Sequence, residues 1–278
     1  MKIVTQFKGK HAFIFGGGNG IGAAIAEEFV LRGCKVSIAD SDLQAATNTA
    51  DRIASDGGKA IAMHCDVTNE QSMTLAVQDA ESQIGDIDIV VNNVGVILSG
   101  NPEDIPLAEW QRVFDINFMS MIRSNHIFVP KFLNRRVGSV VNTASFAGLY
   151  PYASNRMPYA AAKAAVVSLT QSLALYLLPK GISVSCFCPG PVNTDVKKGM
   201  RSWSESAVMS GPGSQFALIQ PIEAAKTLAN AMQAGQVLIP THSGVWSQLQ
   251  KFASHPDEFI HQKISDIESG DLGLPVHF

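Results

Sequence analysis

The chain has 278 residues, of which 46% are hydrophobic and 16% charged, the composition of a folded globular protein and far from that of a disordered one. A net charge of −3 with scattered basic residues leaves no electrostatic footprint for nucleic acid or an anionic membrane; Arg135-Arg136 and Lys197-Lys198 are the only adjacent basic pairs. No apolar run reaches the ~18 residues of a bilayer span, and Met1–Lys8 is too broken by polar residues for a secretory signal.

Residues 11–15 (His-Ala-Phe-Ile-Phe) read as a short buried strand, followed at once by Gly16-Gly17-Gly18-Asn19-Gly20-Ile21-Gly22. A helix runs through 23–30, and a second strand over 35–39 stops at Asp40. Strand, glycine turn, helix, strand and acid form the βαβ unit that holds a dinucleotide pyrophosphate on a helix N-terminus. The glycines permit positive φ and close backbone approach, and the acid accepts hydrogen bonds from a ribose diol. Asp40 repels a 2′-phosphate, and Ser41 and Asp42 behind it offer no cation to receive one. NAD is therefore expected rather than NADP.

The alternation continues. A helix over 43–55 leads to a strand at 60–65 closed by Asp66, and a helix over 69–84 leads to a strand at 87–91 that runs into Asn92-Asn93-Val94-Gly95. One long helix is predicted over 107–133, then a strand at 138–142 just before Thr143-Ala144-Ser145. A second long helix covers 156–178, a sixth strand 182–188 ends at Pro189-Gly190, and a helix to about 234 precedes a seventh strand at 237–241. Strands alternating with helices imply a doubly wound, Rossmann-type parallel sheet of about seven strands in an α/β fold, with helices on both faces. Ligands bind such sheets at the carboxyl ends of the strands, where Asp40, Asp66, Asn92 and Ser145 all fall. No repeat or long linker interrupts the chain, so 1–278 reads as one domain.

The four cysteines form no disulfide framework in a chain this long. Cys186 and Cys188 share one face of a strand, without further ligands at metal spacing. Buried, reduced thiols, no metal site and a cytoplasmic protein are expected.

Tyr159 and Lys163, spaced i, i+4, share one helical face, fourteen residues beyond Ser145. Their ordinary pKa values, ~10 and ~10.4, make neither a neutral-pH base. A neighbouring cation favours the phenolate and desolvation disfavours the ammonium, so the pair is tunable towards acid–base work near neutrality.

With these motifs in place, the chain resembles the short-chain dehydrogenase/reductase family over about 8–194. The resemblance implies that Gly16, Gly18, Asn19, Gly20, Ile21 and Gly22 contact the cofactor, that Asp40 holds the adenosine ribose, and that Asp66 and Val67 meet the adenine. Asn93 and Gly95 match the family's sheet motif, and Pro189, Gly190, Val192 and Thr194 the segment that holds the nicotinamide carboxamide. Asn117, Ser145, Tyr159 and Lys163 match the catalytic tetrad: Ser145 binds the substrate oxygen and Tyr159 exchanges its proton. Lys163 lowers the tyrosine's pKa and holds the nicotinamide ribose, and Asn117 positions a relay water. Two positions depart from the family pattern. Phe15 stands where a threonine usually braces the glycine turn, and Val94 where alanine is usual.

Residues 195–220, rich in Met, Trp and Phe between Ser, Gly and Pro, read as a substrate lid made of a loop and a short helix or two. With Val96, Tyr152 and Trp203 they suggest an apolar alcohol or ketone such as a steroid, terpenoid or aromatic alcohol. About 35 further residues (241–278) carry one or two amphipathic helices. The resemblance also implies a homodimer or homotetramer built on the helices at 107–133 and 156–178. Two other readings stand beside this one: a ketoacyl reductase, which would favour NADPH and a basic landing patch, and a dinucleotide-sensing protein that has lost catalysis.

Overall fold

The computed structural model of the protein describes residues 5–194 and 200–275. Lys197-Lys198, the first five residues of the 195–220 segment, and the extreme termini lie outside the described residues.

Seven parallel strands build the main sheet: β1 (His11–Phe15), β2 (Lys35–Asp40), β3 (Ala60–His64), β4 (Ile89–Asn92), β6 (Gly138–Thr143), β7 (Ile182–Cys188) and β9 (Leu238–Pro240). Their order is β3-β2-β1-β4-β6-β7-β9, every adjacent pair parallel. The chain moves outward from β1 through β2 and β3, then crosses to the other side of β1 to add β4, so the topological switch lies between β1 and β4. Diverging connections leave a crevice at such a point.

The two-residue period of a strand feeds two cores. Ala12 and Ile14 of β1 join the side chains of α1 (Gly20–Leu31), α2 (Leu43–Ser55) and α7 (Pro221–Gln233) on one face. Phe13 and Phe15 point to the other, against α3 (Glu70–Ile84), α5 (Ser120–Arg135) and the end of α6 (Met157–Leu177). Such near-continuous apolar strands belong to a parallel sheet covered on both sides.

Three expectations need correction. The helix expected over 107–133 is broken into α4 (Leu107–Phe114), a π-helical turn at Asp115–Met119 and α5. The 200–220 part of the proposed lid contains no helix; a short strand β8 (Arg201–Ser202) pairs in parallel with β5 (Leu98–Ser99), because the loop after β4 offers it backbone partners. Val192 makes a further isolated bridge to Ile219. Finally, one helix among the described residues, Met157–Lys180, is long and apolar enough to cross a membrane by length and composition. No unbroken apolar run marks it in the sequence, because Lys163, Ser168, Thr170, Gln171 and Ser172 interrupt it. It packs against β7 and carries the buried Lys163.

The tail beyond β9 forms two helices, α8 (Val245–Ser254) and α9 (Pro256–Glu268). Phe252 and Phe259 meet edge-to-face at 5.6 Å, and Phe259 meets Tyr150 at 6.1 Å, so the tail docks on the segment that precedes α6.

Candidate active site

The glycine turn leaves β1 in a conformation that L side chains resist: Gly16 has φ +72° and Gly20 φ +55°. A Cβ on Gly22 would lie 1.9 Å from the Gly16 carbonyl oxygen, and one on Gly18 would lie 2.8 Å from Asp40 Oδ2. The backbone is thus folded onto itself at the start of α1. Asn19 is the N-cap of α1, exposed, with no side-chain capping bond, and no acid occupies the first turn. Uncommitted N–H groups at a helix N-terminus suit an anion such as a pyrophosphate. Ile21 packs at the edge of the first core.

Asp40 ends β2, where Oδ2 accepts from the Gly18 amide (2.9 Å) and Oδ1 from the Asp42 amide (3.1 Å), fixing a negative charge beside the turn. Phe15 packs on Phe13 and Phe128 and offers the turn no hydroxyl. The brace comes from elsewhere: Thr49 of α2 donates to the Gly18 carbonyl (2.9 Å), and Asn93 Nδ2 donates to that of Gly16 (3.2 Å). Val94 lies against Gly16, 3.0 Å from where a Cβ would stand.

Asp66 is exposed, and its carboxylate accepts from the Thr68 amide and hydroxyl, which hold it below the usual carboxylate range. Val67 is buried in the second core. The segment after β7 closes over the glycine turn. Asn193 donates to Ile219, Ile219 donates to Pro191, and Thr194 Cγ2 lies 3.4 Å from the Cβ position of Gly20. Gly190 donates to Thr241 Oγ1 at 2.8 Å.

Ser145 after β6, Tyr159 and Lys163 one turn apart on α6, and Asn117 from the π-helical turn come from three elements and converge. A Cβ on Gly95 would stand 3.1 Å from Asn117 Oδ1 and 3.4 Å from Lys163 Nζ. Asn117, fully buried in the π-helical turn, accepts from the Val96 amide (2.8 Å) and donates to the Val96 carbonyl (2.9 Å). Its side chain is thus spent on bracing the loop after β4, which the widened turn makes possible. Ser145 caps a 3₁₀ turn after β6, accepting from the Ala147 amide. That turn is pressed on α6: a Cβ on Gly148 would lie 2.5 Å from the Lys163 backbone.

Lys163, 2% exposed, donates to the Thr143 carbonyl (2.7 Å) and sits 5.7 Å from the Tyr159 ring centre. Burial lowers its pKa to about 8, against the smaller opposing influence of the Cys186 and Cys188 thiols. Burial raises that of the half-buried Tyr159; the Ser145 hydroxyl and then the Arg156 charge work against the rise. Among the described residues Arg156 thus adds a positive charge that favours the Tyr159 phenolate, beside Lys163, which spends one of its three N–H donors on Thr143.

Val96 and Trp203 meet in one apolar cluster with Leu98 and Ala162; Tyr152 belongs to another with Phe146 and Tyr159. The start of α6 separates the two. Sequence reasoning passed over Thr49, Thr143, Gly148, Arg156 and Thr241, which carry no motif of their own and act through tertiary contacts. All four cysteines are free and buried, and no cluster of metal-ligating side chains occurs among the described residues.

The sequence pattern of short chain dehydrogenases matches residues 10–205. The chain is 36% identical over 191 residues to a cyclohexanol dehydrogenase of Acinetobacter sp. (strain SE19), 68% of this chain and 76% of that one. It is 34% identical over 197 residues to a 7α-hydroxysteroid dehydrogenase of Escherichia coli (strain K12), 70% and 76% of the two chains. A solved short chain dehydrogenase/reductase from Burkholderia phymatum, in complex with NAD, superposes with TM-score 0.79 at 25% identity, covering 99% of this chain and all of its own. The fold, the strand-end site and these likenesses together place the chain in the short-chain dehydrogenase family of oxidoreductases.

Proposed function

We propose that the protein is an NAD-dependent oxidoreductase that interconverts a secondary alcohol and a ketone on a mainly apolar substrate. The observation that carries this reading is the meeting of Asn117 and Lys163 at Gly95, with the turn that Ser145 caps pressed on Lys163 and Tyr159 one helical turn before it, at the carboxyl end of the sheet. In oxidation, Ser145 donates a hydrogen bond to the substrate oxygen and Tyr159 removes its proton. Lys163, with a pKa near neutrality, loses and regains a proton readily and conducts it away from the tyrosine. Asn117 fixes Val96, and so the wall of the pocket, through its two bonds to that residue's backbone.

A nicotinamide cofactor, when bound, supplies the hydride acceptor or donor. Gly16, Gly18, Asn19, Gly20, Ile21 and Gly22 would receive its pyrophosphate, Asp40 its adenosine ribose, and Asp66 and Val67 its adenine. Asn93, Gly95, Tyr159, Lys163, Pro189, Gly190, Val192 and Thr194 would surround the nicotinamide half. NAD is favoured over NADP because the Asp40 charge is held in place by two amides and no cation follows it at Ser41 or Asp42. The NAD complex of the Burkholderia phymatum protein agrees with this choice. Residues 1–278 act as one domain, with a lid over about 195–220 and an extension over about 241–278. The apolar groups of Val96, Tyr152 and Trp203 favour an alcohol of the cyclohexanol or hydroxysteroid kind.

The test is a screen of cyclic alcohols, hydroxysteroids, terpenols and aryl carbinols with NAD+ and NADP+, following cofactor reduction. Oxidation with NAD+ is expected for at least one apolar class. Tyr159→Phe should still bind NAD and lose turnover by several orders of magnitude. Retained turnover in that variant, or activity confined to sugars, would sink the reading.

A further inference from the structure

Arg156 is the N-cap of α6 and precedes Tyr159 by three residues. Its Nη2 donates to the Ser210 carbonyl, and its guanidinium lies 5.7 Å from the Tyr152 ring centre. Its Nε is buried with no protein partner. The same two segments are joined twice more. The Ser210 hydroxyl donates to the Tyr152 carbonyl, and Tyr150 Oη donates to the Pro212 carbonyl at 2.9 Å. The tail holds the far side of this strap: the Gly211 amide donates to Leu272 (2.7 Å) and the Gly213 amide to Gly273 (2.9 Å). Tail, lid and pre-helix segment therefore lie in three bonded layers, and the arginine is the ionised side chain among these bonds.

We propose that Arg156 is a positioning residue: pinned by the lid carbonyl of Ser210, it keeps a fixed positive charge beside Tyr159, so that docking of the lid and C-terminal tail is coupled to the readiness of Tyr159 to give up its proton. This rests on Tyr159 being the acid–base group. Among the described residues, the charged and titratable neighbours of Tyr159 are few. Ser145 and Tyr152 come from the loop after β6, Cys188 from β7, Lys163 from its own helix, and Arg156 from the turn before it. Lys163 is bonded to Thr143, and Cys188 acts in the opposite sense, raising the phenol. Release of the strap frees the guanidinium to swing into water, where its influence on the phenol is screened.

The experiment is a pH titration of tyrosinate absorbance in the full-length protein. Tyr159→Phe, titrated in parallel, supplies the difference spectrum that isolates Tyr159. R156Q is expected to move the Tyr159 ionisation to higher pH by about a factor of ten in its constant, since a charge is lost from a partly desolvated site. R156K is expected to recover much of that. G211A adds a Cβ that would stand 2.2 Å from the Gly273 carbonyl oxygen, loosening the tail and, through the Ser210–Gly211 peptide, the carbonyl that pins Arg156 while leaving both the Arg156 and Tyr159 side chains in place, and should shift the ionisation in the same direction by less. An ionisation unchanged in R156Q overturns the proposal, as does an equal shift in R156K, which would place the effect in packing rather than charge. An unchanged G211A overturns the coupling to the tail. If R156Q fails to fold, G211A and R156K decide. The titration needs no substrate, so its failure is distinct from failure of the alcohol screen.

Discussion

At Lys163 the cost of the site to the fold can be read as a dependence on pH. The buried ammonium has a pKa of about 8, against ~10.4 in an unfolded chain, with desolvation the main cause. Below about pH 8 both states carry the proton and the folded state bears the full penalty. Between pH 8 and about 10.4 the unfolded chain holds more protons than the folded one, so the penalty is relieved and stability rises with pH. Lys163→Met removes this dependence. Chemical denaturation of both proteins should show the wild type gaining on the variant by roughly 2–3 kcal/mol between pH 7 and 10. A constant difference across that interval would mean that the ammonium is solvated or tightly paired. The same variant should lose turnover at every pH, because the Thr143 contact and the proton path vanish together. A site that gives up stability for function in this way is expected where a titratable group is put to work in a desolvated position.

At the scale of elements, the strands and helices were legible because two periodicities are written into the residues: period two in β1, whose Ala12 and Ile14 serve one core and Phe13 and Phe15 the other, and the α-helical pattern of α2. The βαβ unit with its turn and Asp40 was legible for the same reason, since glycine positions and a strand-end acid are local features. The π-helical turn at Asp115–Met119 was not. It is chosen by Asn117 reaching Val96, a contact across 21 residues that no local pattern encodes. The β5–β8 pairing was hidden likewise, its partners lying about a hundred residues apart. Phe15 illustrates the limit. Reading the turn locally, a missing hydroxyl brace is the natural inference, yet Thr49 supplies one from α2. This makes a prediction at the level of the turn. Thr49→Val removes the donor and leaves the Gly18 carbonyl buried without it, a loss of about 1–3 kcal/mol. NAD affinity measured by calorimetry should fall by about tenfold or more, with the helical content of α2 intact. Asp40→Ala should weaken NAD and narrow its advantage over NADP. Equal affinity for NAD in Thr49→Val and wild type would show that Asn93 alone holds the turn.

For the molecule as a whole, the family pattern stops at residue 205, while the lid and tail that bond to one another lie largely beyond it. The shared chemistry thus belongs to about the first three quarters of the chain, and the choice of alcohol is expected to follow from the last quarter. The surface poses a second question at this scale. Leu107 is 73% exposed at the start of α4 and Leu175 82% exposed near the end of α6, with Met119 and Tyr176 also exposed. Single exposed leucines need no explanation, but these four fall on the two long helical regions that the resemblance assigned to subunit contacts. If α6 pairs across a two-fold axis, residues on it meet their own counterparts, and a charge placed there is repeated in both subunits. Leu175→Asp should then bring two carboxylates together in an apolar interface and shift the assembly to monomer, read as a halved or quartered mass by light scattering. In a protein that is monomeric to begin with, the same change at an exposed position should leave mass untouched and stability within about 0.5 kcal/mol. A monomeric mass for the wild type would overturn the homo-oligomer that the resemblance implies. A multimer indifferent to Leu175→Asp would move the interface away from the end of α6.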